Sequence, residues 1–196
     1  MVKLLISYNA KIDMTDVNGW TALRIACNYG QASATVLRLE EDIRVSIKHK
    51  DTPSLKIHSK PQYDEIVSYL IKNDADVNLV DKYGWTCLMS ACQYGPTNIV
   101  DLLSSKVDNI NKANNTGWTA LHITCIRGDT DVAELLLRCN ADINRANSRG
   151  WTSLKIASLV GHKDIVELLL RKGADVNIED TDEKVVSFIA KYGKFV

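Results

Sequence analysis

A tryptophan held between glycine and threonine occurs four times in this chain. The copies are Asn18-Gly19-Trp20-Thr21-Ala22-Leu23, Tyr83-Gly84-Trp85-Thr86-Cys87-Leu88, Thr116-Gly117-Trp118-Thr119-Ala120-Leu121 and Arg149-Gly150-Trp151-Thr152-Ser153-Leu154. Trp85, Trp118 and Trp151 are spaced by 33 residues, and Trp20 precedes Trp85 by 65, one short of two periods. A fixed period of this length marks supersecondary units that stack, because one helical pair cannot bury its apolar face alone. The expected fold class is all-α, a solenoid of stacked helix-turn-helix-hairpin units. Function in such a stack belongs to surfaces rather than to one deep pocket.

Charge and ends narrow the partners. The chain has 196 residues, 45% of them hydrophobic, with 24 Lys and Arg against 24 Asp and Glu. That balance creates no net field to attract nucleic acid or an anionic membrane, so neither partner is supported. No apolar run reaches the roughly 20 residues that span a bilayer, and residues 1–8 turn polar too soon for a signal peptide. The expected address is cytoplasmic or nuclear, in a reducing compartment. Cys27, Cys92 and Cys125 share one register position with Ser158, which marks a slot for a small core side chain rather than a disulfide or a metal ligand. Cys87 and Cys139 fall outside that register.

The best-formed unit runs over residues 147–179. Asn147-Ser148-Arg149-Gly150 reads as a tight turn. Thr152 caps a short first helix that stops at Gly161, and Asp164 to Lys172 forms a second helix with an acidic start, a basic end and Gly173 as its cap. Ala174-Asp175-Val176-Asn177 then leads into the next turn, and its ending returns at Ala75-Asp76-Val77-Asn78, Asn109-Ile110-Asn111 and Ala141-Asp142-Ile143-Asn144. This pattern resembles the ankyrin repeat, whose core reads Thr-Pro-Leu-His-x-Ala; Thr119-Ala120-Leu121-His122 is the nearest copy. The resemblance implies one domain over 1–196, with a partial repeat at 1–15, full repeats at 16–47, 48–80, 81–113, 114–146 and 147–179, and a terminal partial repeat at 180–196. Val2 to Asn9 aligns with Val166 to Gly173, so the chain is expected to begin at a second helix within a longer array.

Departures from the family pattern locate what is unusual. Only His122 holds the family histidine; Arg24, Lys56, Met89 and Lys155 replace it elsewhere. Gly173 is the only cap glycine of its kind, with Asn9, Asp74, Val107 and Asn140 as counterparts, and Val107 would be strained in a left-handed conformation. The span 48–80 is the most degenerate: it lacks Gly-Trp, carries His58 in an alanine slot, and places Pro61 near the usual glycine turn. The stretch before it makes Lys48 and Lys50 a possible basic contact for an anion or acidic peptide.

The resemblance also implies where a ligand meets the fold. Family ligands touch the residue before the Thr-x-Leu segment and the two before the glycine turn, on a concave face of hairpin tips and first helices. The candidate protein-binding residues are therefore Trp20, Tyr29, Trp85, Tyr94, Trp118, Arg127 and Trp151, aromatic and arginine side chains of the kind that dominate interface energies. Tryptophan at that position also packs against the next hairpin in such repeats, so both roles are open. Asn78, Asn111, Asn144 and Asn177, each with leucine eight residues earlier, resemble substrates of asparaginyl hydroxylases, although hydrogen bonding within the hairpins accounts for them equally.

No catalytic or metal site is expected, and no cofactor. His49, His58, His122 and His162 show no ligand spacing, and the chain has no phosphate loop or nucleophile elbow. The expected function is a non-catalytic protein-protein interaction scaffold that binds a protein or peptide on its concave face and hairpin tips, as a monomer or as part of a longer chain. The competing readings are an ankyrin segment of a larger enzyme, channel or pathogen effector, packing intramolecularly or recruiting substrate, and a catalytic protein whose residues are not recognisable from motifs.

Overall fold

A computed structural model describes residues 11–28 and 61–176, with backbone only for 61–63. Among the described residues there are eight helices and no extended strand: α1 (Ala22–Asn28), α2 (Pro61–Lys72), α3 (Cys87–Tyr94), α4 (Thr97–Ser104), α5 (Ala120–Arg127), α6 (Thr130–Arg138), α7 (Ser153–Val160) and α8 (Lys163–Arg171). Isolated antiparallel bridges join Thr15 to Thr21 and Val80 to Thr86. No described helix is long and apolar enough to cross a membrane.

Each first helix starts at a threonine for a local reason. The hydroxyls of Thr21, Thr86, Thr119 and Thr152 accept the backbone N–H groups of Arg24, Met89, His122 and Lys155, satisfying donors that a helix start leaves orphaned. Gly128 and Gly161 close α5 and α7 at φ 84° and 90°. The second helices end differently. Asp74 and Asn140 take positive φ at the slot that Gly173 fills with glycine, as short polar side chains can. Val107 does not adopt a positive φ; its N–H instead closes onto Leu103 C=O at 3.0 Å, so the anticipated strain is absent.

The helices pack in two-helix layers. Helices α3 and α4, α5 and α6, and α7 and α8 pair within a layer, while α1, α3, α5 and α7 form a continuous row across layers. One core runs through the stack, with Leu23, Leu88, Leu121 and Leu154 at its centre beside Ala91, Cys92, Cys125 and Ala157. Small residues at those places let neighbouring helices approach closely.

The first layer corrects one boundary. Residues 16–47 and 48–80 were expected to form two stacked repeats, yet α1 and α2 pack together as the two helices of one layer, and α1 lies directly on α3. Hydrogen bonding agrees. Asp108, Asp142 and Asp175 donate their N–H groups to Asn78, Asn111 and Asn144, 30 or 31 residues earlier; Asp76 donates to Asp13 in the same way across 63 residues. Tip to tip, Lys82 N–H reaches Asn18 C=O at 3.0 Å, as Asn115 reaches Tyr83 and Ser148 reaches Thr116. The layer of Trp20 is thus the immediate neighbour of the layer of Trp85. The 65-residue interval is one layer-to-layer step, not two, and residues 29–60 lie within it in sequence. Pro61 opens α2, where its missing N–H costs nothing.

Arg24 secures this first interface. Its guanidinium meets the Asp81 carboxylate at 2.7 Å and donates to Ser90 Oγ at 3.0 Å, with both side chains of the ion pair almost fully buried. Burial lowers the Arg24 pKa and the Asp81 carboxylate opposes that shift. Removing one member of a buried pair strands the other charge. Met89 and Asn114 occupy the corresponding places at the next interface and carry no charge. We therefore expect Arg24→Ala to lose about 3 kcal/mol of stability in chemical denaturation, and the double change Arg24→Met with Asp81→Asn to recover most of it. Equal instability of the single and double variants would contradict this role.

Candidate functional site

Each hairpin turn is anchored by the residue three before its glycine. Asp16 and Asp81 use Oδ1 to accept two backbone N–H groups each, from Asn18 and Trp20 and from Tyr83 and Trp85, all at 2.8 Å. Asn114 and Asn147 do the same for Thr116 and Trp118 and for Arg149 and Trp151, at 2.9 to 3.1 Å. The tight stacking of tips also explains one glycine. A Cβ on Gly117, at φ 79°, would stand 2.7 Å from Ser148 N of the next hairpin. The tryptophan after each glycine is consequently held by its own backbone N–H at a fixed place in the row.

All four tryptophans are half-buried, with their neighbours in the row deciding how. Trp20 donates its indole N–H to Asp81 Oδ2 at 3.2 Å, and the Arg24 guanidinium lies 4.8 Å from the Trp20 ring and 5.9 Å from that of Trp85. Trp118 meets His122 edge to face at 5.8 Å. Arg149 and Lys155 lie 5.5 and 5.2 Å from the Trp151 ring. Trp85, Trp118 and Trp151 also pack against the core. Packing between layers is thus an observed role for these rings, while their outer edges stay open to solvent.

The other candidates separate. Tyr94, at the end of α3, is exposed, and Ile126, Leu159 and Val160 are exposed at equivalent helix ends. Tyr83 at a hairpin tip is 57% exposed and was missed by motif reasoning, since the position tolerates any residue. Arg127 is engaged: Nη1 donates to the Cys92 and Gly95 carbonyls at 3.3 and 2.8 Å, closing the end of α3, and Nη2 stands 3.6 Å from Asp129. Tyr29, Lys48 and Lys50 lie outside the described residues. Of the asparagines singled out by sequence, Asn78, Asn111 and Asn144 accept a hydrogen bond from the next hairpin; Asn177 lies outside the described residues.

Histidines and cysteines are committed to the core and the layer contacts. His122 is fully buried, with Nδ1 accepting from Thr119 N–H at 3.1 Å and Nε2 donating to Arg145 C=O at 3.0 Å. That network assigns a neutral ring, and burial lowers its pKa because a second proton would have to sit on Nδ1, against a donor. His162 Nε2 bonds Ile126 C=O at 3.0 Å, across the layer boundary. Cys92 and Cys125 are buried with thiol pKa values raised to about 12 by that burial. Cys27 is raised by a hydrogen bond with Cys87 and by burial, and Cys87 donates to Val77 C=O at 3.0 Å. Among the described residues no group of three or more His, Cys, Asp and Glu could hold a metal ion. An open depression is lined by Arg127, Gly128, Asp129, Thr130 and Asp131, where Asp129 caps α6 through Val132 N–H.

A family model for ankyrin repeats, described as three copies, matches residues 39–114 and 107–180. No curated protein matches the sequence.

These environments set two expectations. In native protein, a disulfide reagent at neutral pH should modify Cys139, which is partly exposed, and leave Cys27, Cys87, Cys92 and Cys125 unmodified until denaturant is added; rapid labelling of all five without unfolding would contradict the burial. Since the folded His122 pKa lies below the unfolded value of about 6.5, the unfolded chain binds the extra proton first, and stability falls as pH drops below that value. Between about pH 7 and 5.5, denaturation should cost the native protein roughly 1 kcal/mol more than His122→Gln.

Proposed function

This chain belongs to the ankyrin-repeat family, and on that premise we propose that it is a non-catalytic scaffold whose first-helix row and hairpin tips bind a protein or an extended peptide. Ankyrin repeats are generally protein-interaction modules. The observation that carries the reading is the run of partly open aromatic and aliphatic side chains along a single row: the edges of Trp20, Trp85, Trp118 and Trp151, flanked by Tyr94, Ile126, Leu159 and Val160. Contiguous apolar surface of this kind marks interaction sites, and aromatic rings contribute large area with few rotors to immobilise. The backbone beneath them is tied from layer to layer, so binding loses little conformational freedom on that side. Tyr94 and the outer edge of Trp85 supply contact in this scheme, whereas Arg127 supports the surface by holding the end of α3.

Affinity capture from cell lysate tests this. Wild type is compared with Tyr94→Ala and with a Trp85→Ala, Tyr94→Ala double variant, thermal melting being recorded for each. Partners retained by wild type should be lost from the double variant and weakened by Tyr94→Ala at unchanged melting temperature, each hot spot contributing roughly 2 kcal/mol. An identical set of partners on wild type and double variant would refute the assignment.

A further inference from the structure

We propose that the hairpin tips form a cationic edge that docks an acidic, extended segment of a partner protein beside the tryptophan row. This rests on the interaction face assigned above and specifies its partner.

The chain is neutral overall, but its charges are segregated. Three hairpin segments, 78–85, 111–118 and 144–151, connect the described layers. They contain four cations, Lys82, Lys112, Arg145 and Arg149, all exposed, and one carboxylate, Asp81, which is buried. Asp81 is fully used: one oxygen holds its own turn and the other meets Trp20 and Arg24. At the next two turns the same anchor is asparagine, so no negative charge is present to offset Arg145 and Arg149. None of the four cations is in an ion pair. Lys82 Nζ has a neutral acceptor, Asn18 Oδ1, at 2.6 Å, and Lys112 Nζ has Asn78 C=O at 3.1 Å. Exposed carboxylates lie instead on the second helices, at Glu65, Asp101, Asp131, Glu134 and Asp164.

Aromatic rings adjoin this edge. Lys82 stands 5.0 Å from the Tyr83 ring and Arg149 stands 5.5 Å from Trp151, which places each positive charge next to apolar area. A carboxylate arriving there gains charge pairing, and its neighbouring side chains gain a ring to cover. The cations come singly or in pairs, one hairpin at a time, with Val80 and Tyr83 exposed among them. That alternation suits a peptide in which acidic and apolar residues mix. A nucleic acid backbone, with charge on every residue and no apolar side chains, fits it less well.

The test uses the full chain, labelled with nitrogen-15, and three probes: a roughly twelve-residue peptide of repeating Glu-Val-Glu-Ser, its glutamine counterpart, and an oligothymidylate of similar length. The glutamate peptide should shift the indole N–H signals of Trp85, Trp118 and Trp151 and the amides of the three hairpins. Its affinity should drop at least about tenfold between about 50 and 200 mM salt and again in K82E/R149E. K82Q/R149Q, which removes charge without reversing it, should give an intermediate loss with an unchanged melting curve. Equal binding of the glutamine peptide, shifts confined to other surfaces, no shift at millimolar peptide, or stronger binding of the oligothymidylate would each overturn the proposal. If the partners captured through Trp85 and Tyr94 survive K82E/R149E, the interaction face stands and its acidic specificity fails; if the Trp85 and Tyr94 variant loses no partner, the underlying face fails instead.

Discussion

No layer of this structure can bury its own apolar face, and every other feature follows from that. The described helices are only 7 to 12 residues long, shorter than isolated helices need to persist in water. In α3, six of eight side chains are buried, which requires a neighbour on each side as well as α4 behind. Stability is therefore a property of interfaces between layers. Whatever stands in those interfaces must either pack without polar atoms or bring its partner with it. Met89 takes the first course; Arg24 with Asp81 and His122 with Thr119 take the second.

The same dependence shapes the outer face. Each hairpin is rigid because an aspartate or asparagine Oδ1 holds two amides of its turn, and because one backbone bond joins each tip to the next. The tryptophans ride on this frame, with one side against the stack and one edge toward solvent. Structural packing and ligand contact are thus not rival roles for the rings, since they use different parts of the same side chain. Where the anchor is aspartate its charge is spent inside the interface, and where it is asparagine there is none to spend. That difference leaves the cations of the tips without compensation.

Much of this was legible from residue order. The threonine caps, Gly128, Gly161 and Gly173, the small-residue slot of Cys92 and Cys125, and the role of His122 are short-range or strictly periodic features. They depend on residues three or four apart and on 33-residue repetition, both visible in the sequence. Other features were not. Arg24 read as a loss of the family histidine, whereas its partner, 57 residues away, makes it a replacement. Cys87 lay outside the cysteine register and yet meets Cys27 across an interface. Arg127 looked like a ligand contact because its position faces ligands in the family; only the position of the Cys92 and Gly95 carbonyls shows where its guanidinium goes.

Sequence alone determined that this protein is built of repeated helical pairs, where most of them start and stop, and which side chains form the row of tryptophans. Those properties are local, and local propensity and periodicity encode them directly. Tertiary structure decided which segments become neighbours. An interval of 65 residues fitted two repeats almost as well as one repeat with additional chain, because spacing measures contour and not contact. The choice was made by α1 packing on both α2 and α3, and by a buried arginine that finds its carboxylate only in that arrangement.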